Sequence, residues 1–473
     1  MSRINTNVSS LVAQNTLGRN NKDLQQALGR LSTGLRINSG SDDPAGLIAS
    51  ENLRRDITAV NRSITNSERA GQLIATADSA LGQVSSLLND IRGLVNEAAN
   101  SGVLSSDQIA ANQLQVDSSL EAIDRISQVT TFQGRKLLDG NLDFIISAKP
   151  AAIQSLNIQQ ANLGATGSIA VSISISTAAD TAQVAVATTG FNASNQLSAD
   201  LVVQIGGTGG AEVFSFASGA TITQVVNAVN LVSDATGVTA TNNAGVLSLD
   251  STAYGSDAYV AVEIISAGNS SFSTGLGGTI ARNAGVDISA TVNGVQANGR
   301  GNTLSINSAT LDLSLTVVDG TNASIAFNIT DGGAVFQLGP DVVSNQQARI
   351  GISSVNTGSL GGNAGRLYQL RSGQNAALDT DTTLAGSIVD EVITDVVELR
   401  GRLGAFQRTT LQSNIASLSD TLVNLTAAES SIRDADFAKE SAALTRAQIL
   451  VQSGTSVLAI ANQNPQNVLS LLR

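Results

Sequence analysis

The chain has no histidine, no cysteine and no tryptophan, and its one methionine is Met1. Without His or Cys there is no imidazole base, no thiolate nucleophile and no Cys/His zinc site. Aromatic residues make up 3% of the 473, too few for the aromatic-walled pockets that small-molecule sites favour. Long apolar runs are missing too. No stretch approaches the roughly 18 residues of a membrane-spanning helix. Met1-Ser2-Arg3-Ile4-Asn5 leads into a polar amphipathic stretch with no apolar core and no cleavage site, so no cleavable leader is expected. Positive charge is scarce in the middle: between 151 and 335 only Arg282 and Arg300 are basic. The same stretch holds eleven acids, and so -9 of the net charge of -12. Such a surface argues against nucleic-acid binding. The acids are scattered, with no Asp-x-Asp-x-Asp loop, so a solvated surface is favoured over a metal site or a glycosidase pair. No enzyme, no cofactor, no metal and no membrane insertion are expected.

What the chain does have is helical spacing at both ends. Apolar residues step by three and four from Leu53 through Ile57, Val60, Ile64 and Ile74 to Ala77, Leu81, Val84, Leu88, Ile91, Val95 and Ala98. A second run goes Leu411, Ile415, Leu418, Leu422, Leu425. Heptad spacing keeps one seam turned toward a partner helix. The helix-bundle seam is therefore expected at Leu81, Val84, Leu88, Ile91, Leu411, Ile415, Leu418 and Leu422.

Residues 1–40 carry a weaker stripe of Ile4, Val8, Leu11, Leu24, Leu28, Leu31 and Leu35 in a background rich in Asn, Ser, Gln and Gly. That stripe has no partner of its own, so order is expected only with partners. Asp43-Pro44 reads as a helix start running to about Asn100, roughly 80 Å at the usual rise. Ser105 and Gln108 have capping-box spacing for a second helix ending near Gln133-Gly134. Period two then takes over at Ile169, Val171, Ile173 and Ile175, at Phe214 and Phe216, and from Leu311 to Val317. A short helix is expected around Ile222–Val229. Helical signal returns after Pro340 and firms from Ala385. Leu403, Gln407 and Leu411 make a four-four step, a stutter in the heptad. A turn over 431–436 precedes a last helix with its seam at Ala447, Val451, Gly454, Leu458, Ala461, Pro465, Val468 and Leu472. Pro465 is expected to kink or end it.

These features predict an α+β multidomain chain. Both termini build a long antiparallel α-helical coiled-coil stem, and the centre is a β-rich insertion of one or two small domains. The expected divisions are 1–40 plus 435–473, 41–150 plus 341–434, and 151–340.

The two ends also resemble the bacterial flagellins, the subunits of the flagellar filament. The N-terminal motifs are Ile4-Asn5-Thr6-Asn7, Arg30-Leu31-Ser32-Thr33-Gly34-Leu35-Arg36-Ile37-Asn38 and Asp42-Asp43-Pro44-Ala45-Gly46. The C-terminal ones are Arg446-Ala447-Gln448-Ile449-Leu450, Gly454-Thr455-Ser456-Val457-Leu458 and Asn464-Pro465-Gln466-Asn467-Val468-Leu469-Ser470-Leu471-Leu472-Arg473. The likeness covers about 1–145 and 385–473, and 221–265 and 286–317 look like the inserted β motifs of the family.

The resemblance implies a helical homopolymer outside the cell, exported unfolded, with an export chaperone, a filament cap and hook-associated proteins as partners. It implies filament-core packing by Ile4, Val8, Leu11, Leu24, Leu28, Leu31, Leu35, Val451, Leu458, Val468 and Leu472. It also implies an epitope for an innate immune receptor at Asp90, Arg92, Leu94, Glu97 and Gln115. The family commonly carries Arg at the position of Asp90 and Glu at that of Gln115, so that contact is expected to be weakened. A hook–filament junction protein, with similar terminal helices, and an adhesin or glycan binder on a helical stalk are the alternatives.

Overall fold

The computed structural model describes residues 6–100, 102–164, 166–186, 191–192, 195–243, 245–267, 280–308 and 310–470, the last seven by backbone alone. Helices occupy both terminal parts and strands the middle. The helices of the described residues are α1 (Val8–Thr33), α2 (Pro44–Ala98), α3 (Ser106–Val129), α4 (Ile222–Leu231), α5 (Ser233–Thr236), α6 (Thr382–Ala405), α7 (Ser413–Arg433) and α8 (Phe437–Ser470). The chain divides into two compact units. The first holds residues 1–70, 337–342 and 408–473, and the second 71–336 and 343–407.

In the first unit α1 starts on an Asn7 cap and stops at Gly34, whose φ of 72° suits glycine. The turn to α2 explains its motif. Asp42 Oδ2 accepts N–H bonds from Asn38 (3.2 Å) and Ser39 (2.9 Å), which hold its carboxyl below the usual range together with the Ser39 hydroxyl. Asp43 Oδ1 caps α2 by accepting Gly46 N–H at 2.9 Å. A Cβ at Gly46 would collide with Asp43 Oδ2 and lie 2.7 Å from Ile37 Cδ1, so a larger residue would displace the capping carboxylate and the buried Ile37. The first part of α2 runs antiparallel to α7, with Arg433 Nη1 at 3.0 Å from Glu51 and Asn414 Nδ2 donating to Ser67 Oγ at 3.2 Å. Ser63 and Ser67, both buried, return their hydroxyls to carbonyls one turn back.

In the second unit the heptad steps of α2 are buried without exception. Ile74, Ala77, Leu81, Val84, Leu88 and Ile91 are each 0% exposed. Val116, Leu120 and Ile123 of α3 and Ile388, Val392, Val396, Leu399 and Leu403 of α6 are buried as well. α2 and α6 run antiparallel, tied by Arg400 Nε to Asp78 Oδ1 (2.9 Å) and by Arg92, which pairs with Asp390 and donates to Gly386 O at 3.2 Å. The Ser105–Gln108 capping box at the start of α3 is present.

The strands of the four larger sheets pair antiparallel and supply two apolar clusters. A five-stranded sheet (295–296, 289–292, 169–177, 325–332, 144–146) and a four-stranded one (298–300, 303–307, 311–317, 153–161) supply the first. The second lies among a three-stranded sheet (181–186, 246–254, 238–243), a four-stranded one (280–284, 259–266, 201–206, 211–216) and α4. The chain passes between the clusters at Asp180 and Val286, which exchange both backbone hydrogen bonds, at 2.9 and 3.0 Å.

Several expectations need correction. Helix does not resume after Pro340. Residues 343–381 hold two 3-10 turns and the strand Gln347–Ile350, and α6 begins only at Thr382. α3 ends at Val129, because Gln133 (φ 51°) and Gly134 (φ 81°) turn a small hairpin over 131–136. Pro465 does not end α8, which runs on to Ser470. Within 1–40, residues 8–33 form a helix, paired with α8, where order was expected only with partners. The four-four step appears as a π-helical turn, Phe406–Gln412, in which one wide turn absorbs the extra residue.

Candidate assembly surface

The features of the first unit that call for explanation are its apolar residues left in the open. α1 and α8 pair antiparallel along a narrow line of small residues. Ala447, Gly454 and Ala461 stand seven apart, with Ala447 and Ala461 buried. A Cβ at Gly454 would come within 3.2 Å of Leu17 Cδ1, so glycine lets the helices approach closely. Polar contacts run alongside. Arg30 Nη1 lies 3.2 Å from Glu440 Oε1, the Asn20 amide donates weakly to Leu450 O at 3.4 Å, and the Asn7 amide donates to Ala461 O at 2.8 Å. At the other end the two turns join, Arg36 N–H to Arg433 O at 2.7 Å and Ala435 N–H to Gly34 O at 2.9 Å.

So thin a seam covers little. Val8, Leu11, Val12 and Leu28 on α1 remain about half exposed, as do Ile449, Leu450, Val457 and Ile460 on α8. Phe437 at the start of α8 is 70% exposed. α7 has no buried residue, and its Val423 is 66% exposed. A helix pair with apolar residues outside its own seam presents a surface for another chain.

The expected filament-core residues fall in three groups. Val8, Leu11 and Leu28 are exposed, while Leu24, Leu31, Leu35, Val451 and Leu458 are half-buried along the α1–α8 line. Ile4, the Val468 side chain and Leu472 lie outside the described residues. Of the expected bundle seam, Leu81, Val84, Leu88 and Ile91 are buried in the second unit. Leu411 is buried in the first, where Ile415, Leu418 and Leu422 are half-buried. Of the expected receptor epitope, Asp90, Glu97 and Gln115 are exposed, Leu94 is buried, and Arg92 is engaged by Asp390. Sequence reading missed Val12, Ile449, Val457 and Ile460. They fall off the heptad line, and a search for apolar residues outside the seam would have found them.

Among the described residues no helix is long and apolar enough to cross a membrane.

Three family profiles match the chain: the bacterial flagellin N-terminal helical region over residues 4–143, the C-terminal helical region over 387–472, and the flagellin hook IN motif over 202–253. The chain is 31% identical to the B-type flagellin of Pseudomonas aeruginosa, with 99% of each chain covered. It is 29% identical to the flagellin of Salmonella typhimurium, again over 99% of each. It is 29% identical to flagellin B of Helicobacter pylori, over all of this chain and 99% of the relative.

Proposed function

Because the chain belongs to the bacterial flagellin family and is a structural subunit of the flagellar filament, we propose that it polymerises through the open apolar faces of α1, α7 and α8. Residues 1–40 and 435–473 form the innermost layer of that filament. Residues 41–150 and 341–434 form an antiparallel coiled-coil stem around it, and 151–340 face outward as two small β-rich domains. The single observation that carries this reading is the α1–α8 pair, which leaves apolar residues of both helices uncovered in the isolated chain. Covering them on a growing tip couples their burial to assembly, so that these apolar faces leave water only as the filament grows. The acidic surface of 151–340 keeps the outer face solvated.

Export by way of a chaperone, and growth beneath a cap and upon hook-associated proteins, belong to the same proposal. So does a weakened contact with the innate immune receptor, since Asp90 of α2 and Gln115 of α3 are both exposed and stand where the family commonly carries Arg and Glu. Asp90→Arg is expected to raise receptor signalling by soluble subunit. Full activation by the unaltered protein would remove that part of the reading.

Electron microscopy of the full chain after salting out, beside a chain lacking 1–40 and 435–473, tests the assembly surface. Filaments are expected from the first and none from the second. Filaments from the truncated chain would show that the ends are not the assembly element.

A further inference from the structure

α8 continues as a helix through Pro465. Proline has no N–H, so the carbonyl four residues earlier, that of Ala461, loses its helical donor. Ala461 is 6% exposed, so water is a poor substitute, and an unpaired buried carbonyl is costly. The side chain of Asn7 meets that same oxygen, donating through Nδ2 at 2.8 Å. Its other end is already committed, since Asn7 Oδ1 accepts Ser10 N–H at 3.1 Å as the N-cap of α1. The orientation of the amide follows from its partners, one a pure donor and the other a pure acceptor. Beside it, buried Ser10 donates from Oγ to Asn462 Oδ1 at 2.7 Å.

A stripe of small and apolar residues seven apart specifies register weakly, because a slip of one heptad meets a similar stripe. A carbonyl freed by proline occurs once in α8, since the other three prolines are Pro44, Pro150 and Pro340. We propose that Asn7 and Pro465 form a register clasp: Pro465 frees the Ala461 carbonyl, Asn7 captures it, and the pair fixes the axial alignment of α1 on α8 in the filament. The clasp makes Asn7 a positioning residue for assembly, one that joins a motif at one end of the chain to a motif at the other.

Seeded polymerisation of the full chain, read as critical concentration, tests this. Asn7→Asp keeps an oxygen for Ser10 N–H and so keeps the cap, but it has no N–H for Ala461. It is expected to raise the critical concentration by about tenfold, the order of one buried hydrogen bond lost. Pro465→Ala supplies the missing backbone N–H. In that background Asn7→Asp is expected to change the critical concentration by no more than about twofold, the usual scatter of a surface change. Equal penalties in the two backgrounds, or no penalty beside Pro465, would overturn the clasp.

Discussion

Asp395 is a carboxyl set among other carboxyls and partly buried. It lies on α6 one turn from Glu391 and about one turn before Glu398, and it lines a cavity of 390 Å³ together with Arg366 and Arg402. Burial first, then repulsion from Glu391 and Glu398, pushes its pKa up to about 6, against the pull of Arg366 and a bond from the backbone at Gly361. A carboxyl raised in the fold binds its proton more tightly there than in the unfolded chain. Stability is therefore highest when Asp395 is protonated and declines as pH rises from about 4, the ordinary carboxyl value, through about 6. Asp395→Asn mimics the protonated form. It is expected to raise the unfolding temperature at pH 7–8 and to leave it unchanged near pH 4. A gain of the same size at both pH values would show that charge is not the cause. Glu391 differs in kind, because its two oxygens accept the N–H groups of Asn363 (2.8 Å) and Ala364 (2.9 Å). At this scale the sequence was readable wherever a residue acts through periodicity, as Leu81, Val84, Leu88 and Ile91 do. It was unreadable where a polar residue answers one orphaned group far along the chain. Asn7 meets Ala461 across 454 positions, and nothing in either neighbourhood announces the other.

Among the elements, α7 and the segment before α6 mark the two limits of pattern reading. The heptads of α7 were plain in the sequence, yet Ile415, Leu418 and Leu422 are only half-buried and Val423 stands open. Spacing says that a seam exists and cannot say whether its partner is in the same chain. Val423→Asp separates the two cases. In the isolated subunit it is expected to shift the unfolding midpoint little, within the roughly 0.5 kcal/mol typical of surface changes. In the filament it places a carboxylate in an apolar contact, and the critical concentration is expected to rise about tenfold or more. Polymerisation at the parent's critical concentration would take α7 out of the assembly surface. The segment 343–381 was misread because carboxylates and amides hold it, where pattern reading looks for an apolar period. Asp124 of α3 accepts both the N–H (2.8 Å) and the hydroxyl (2.9 Å) of Thr357, and Asp117 accepts Ser372 N–H at 3.0 Å. Buried Gln113 accepts Leu378 N–H and donates to Leu370 O, both at 2.8 Å. A chain held by its backbone N–H groups needs no repeat of its own, so neither helical nor strand spacing describes it.

For the whole molecule, the order of insertion decides what can be removed. The second apolar cluster is built from residues between Ala182 and Ala281, and the first from residues on either side of that span. The two crossings of the chain lie side by side at Asp180 and Val286, whose paired backbone bonds close the neck. Asp287 secures it, accepting Ser256 N–H at 3.0 Å and Gly301 N–H at 2.8 Å, and its carboxyl is held low chiefly by the Ser256 hydroxyl. A span that leaves and returns at one point, with a cluster of its own, can be excised at small entropic cost, because the ends left behind are already in place for a tight turn. Joining Asp180 to Val286 by a short Asn-Gly turn is therefore expected to give a chain that folds and polymerises with the parent's critical concentration, making a thinner filament. The outward position of 151–340 and the nesting of the second cluster would then be measured together as the loss in filament diameter. A shortened chain that folds by circular dichroism yet fails to add to parent seeds would place the second cluster in the contacts between subunits. One that fails to fold would show that the two clusters stabilise each other across the neck.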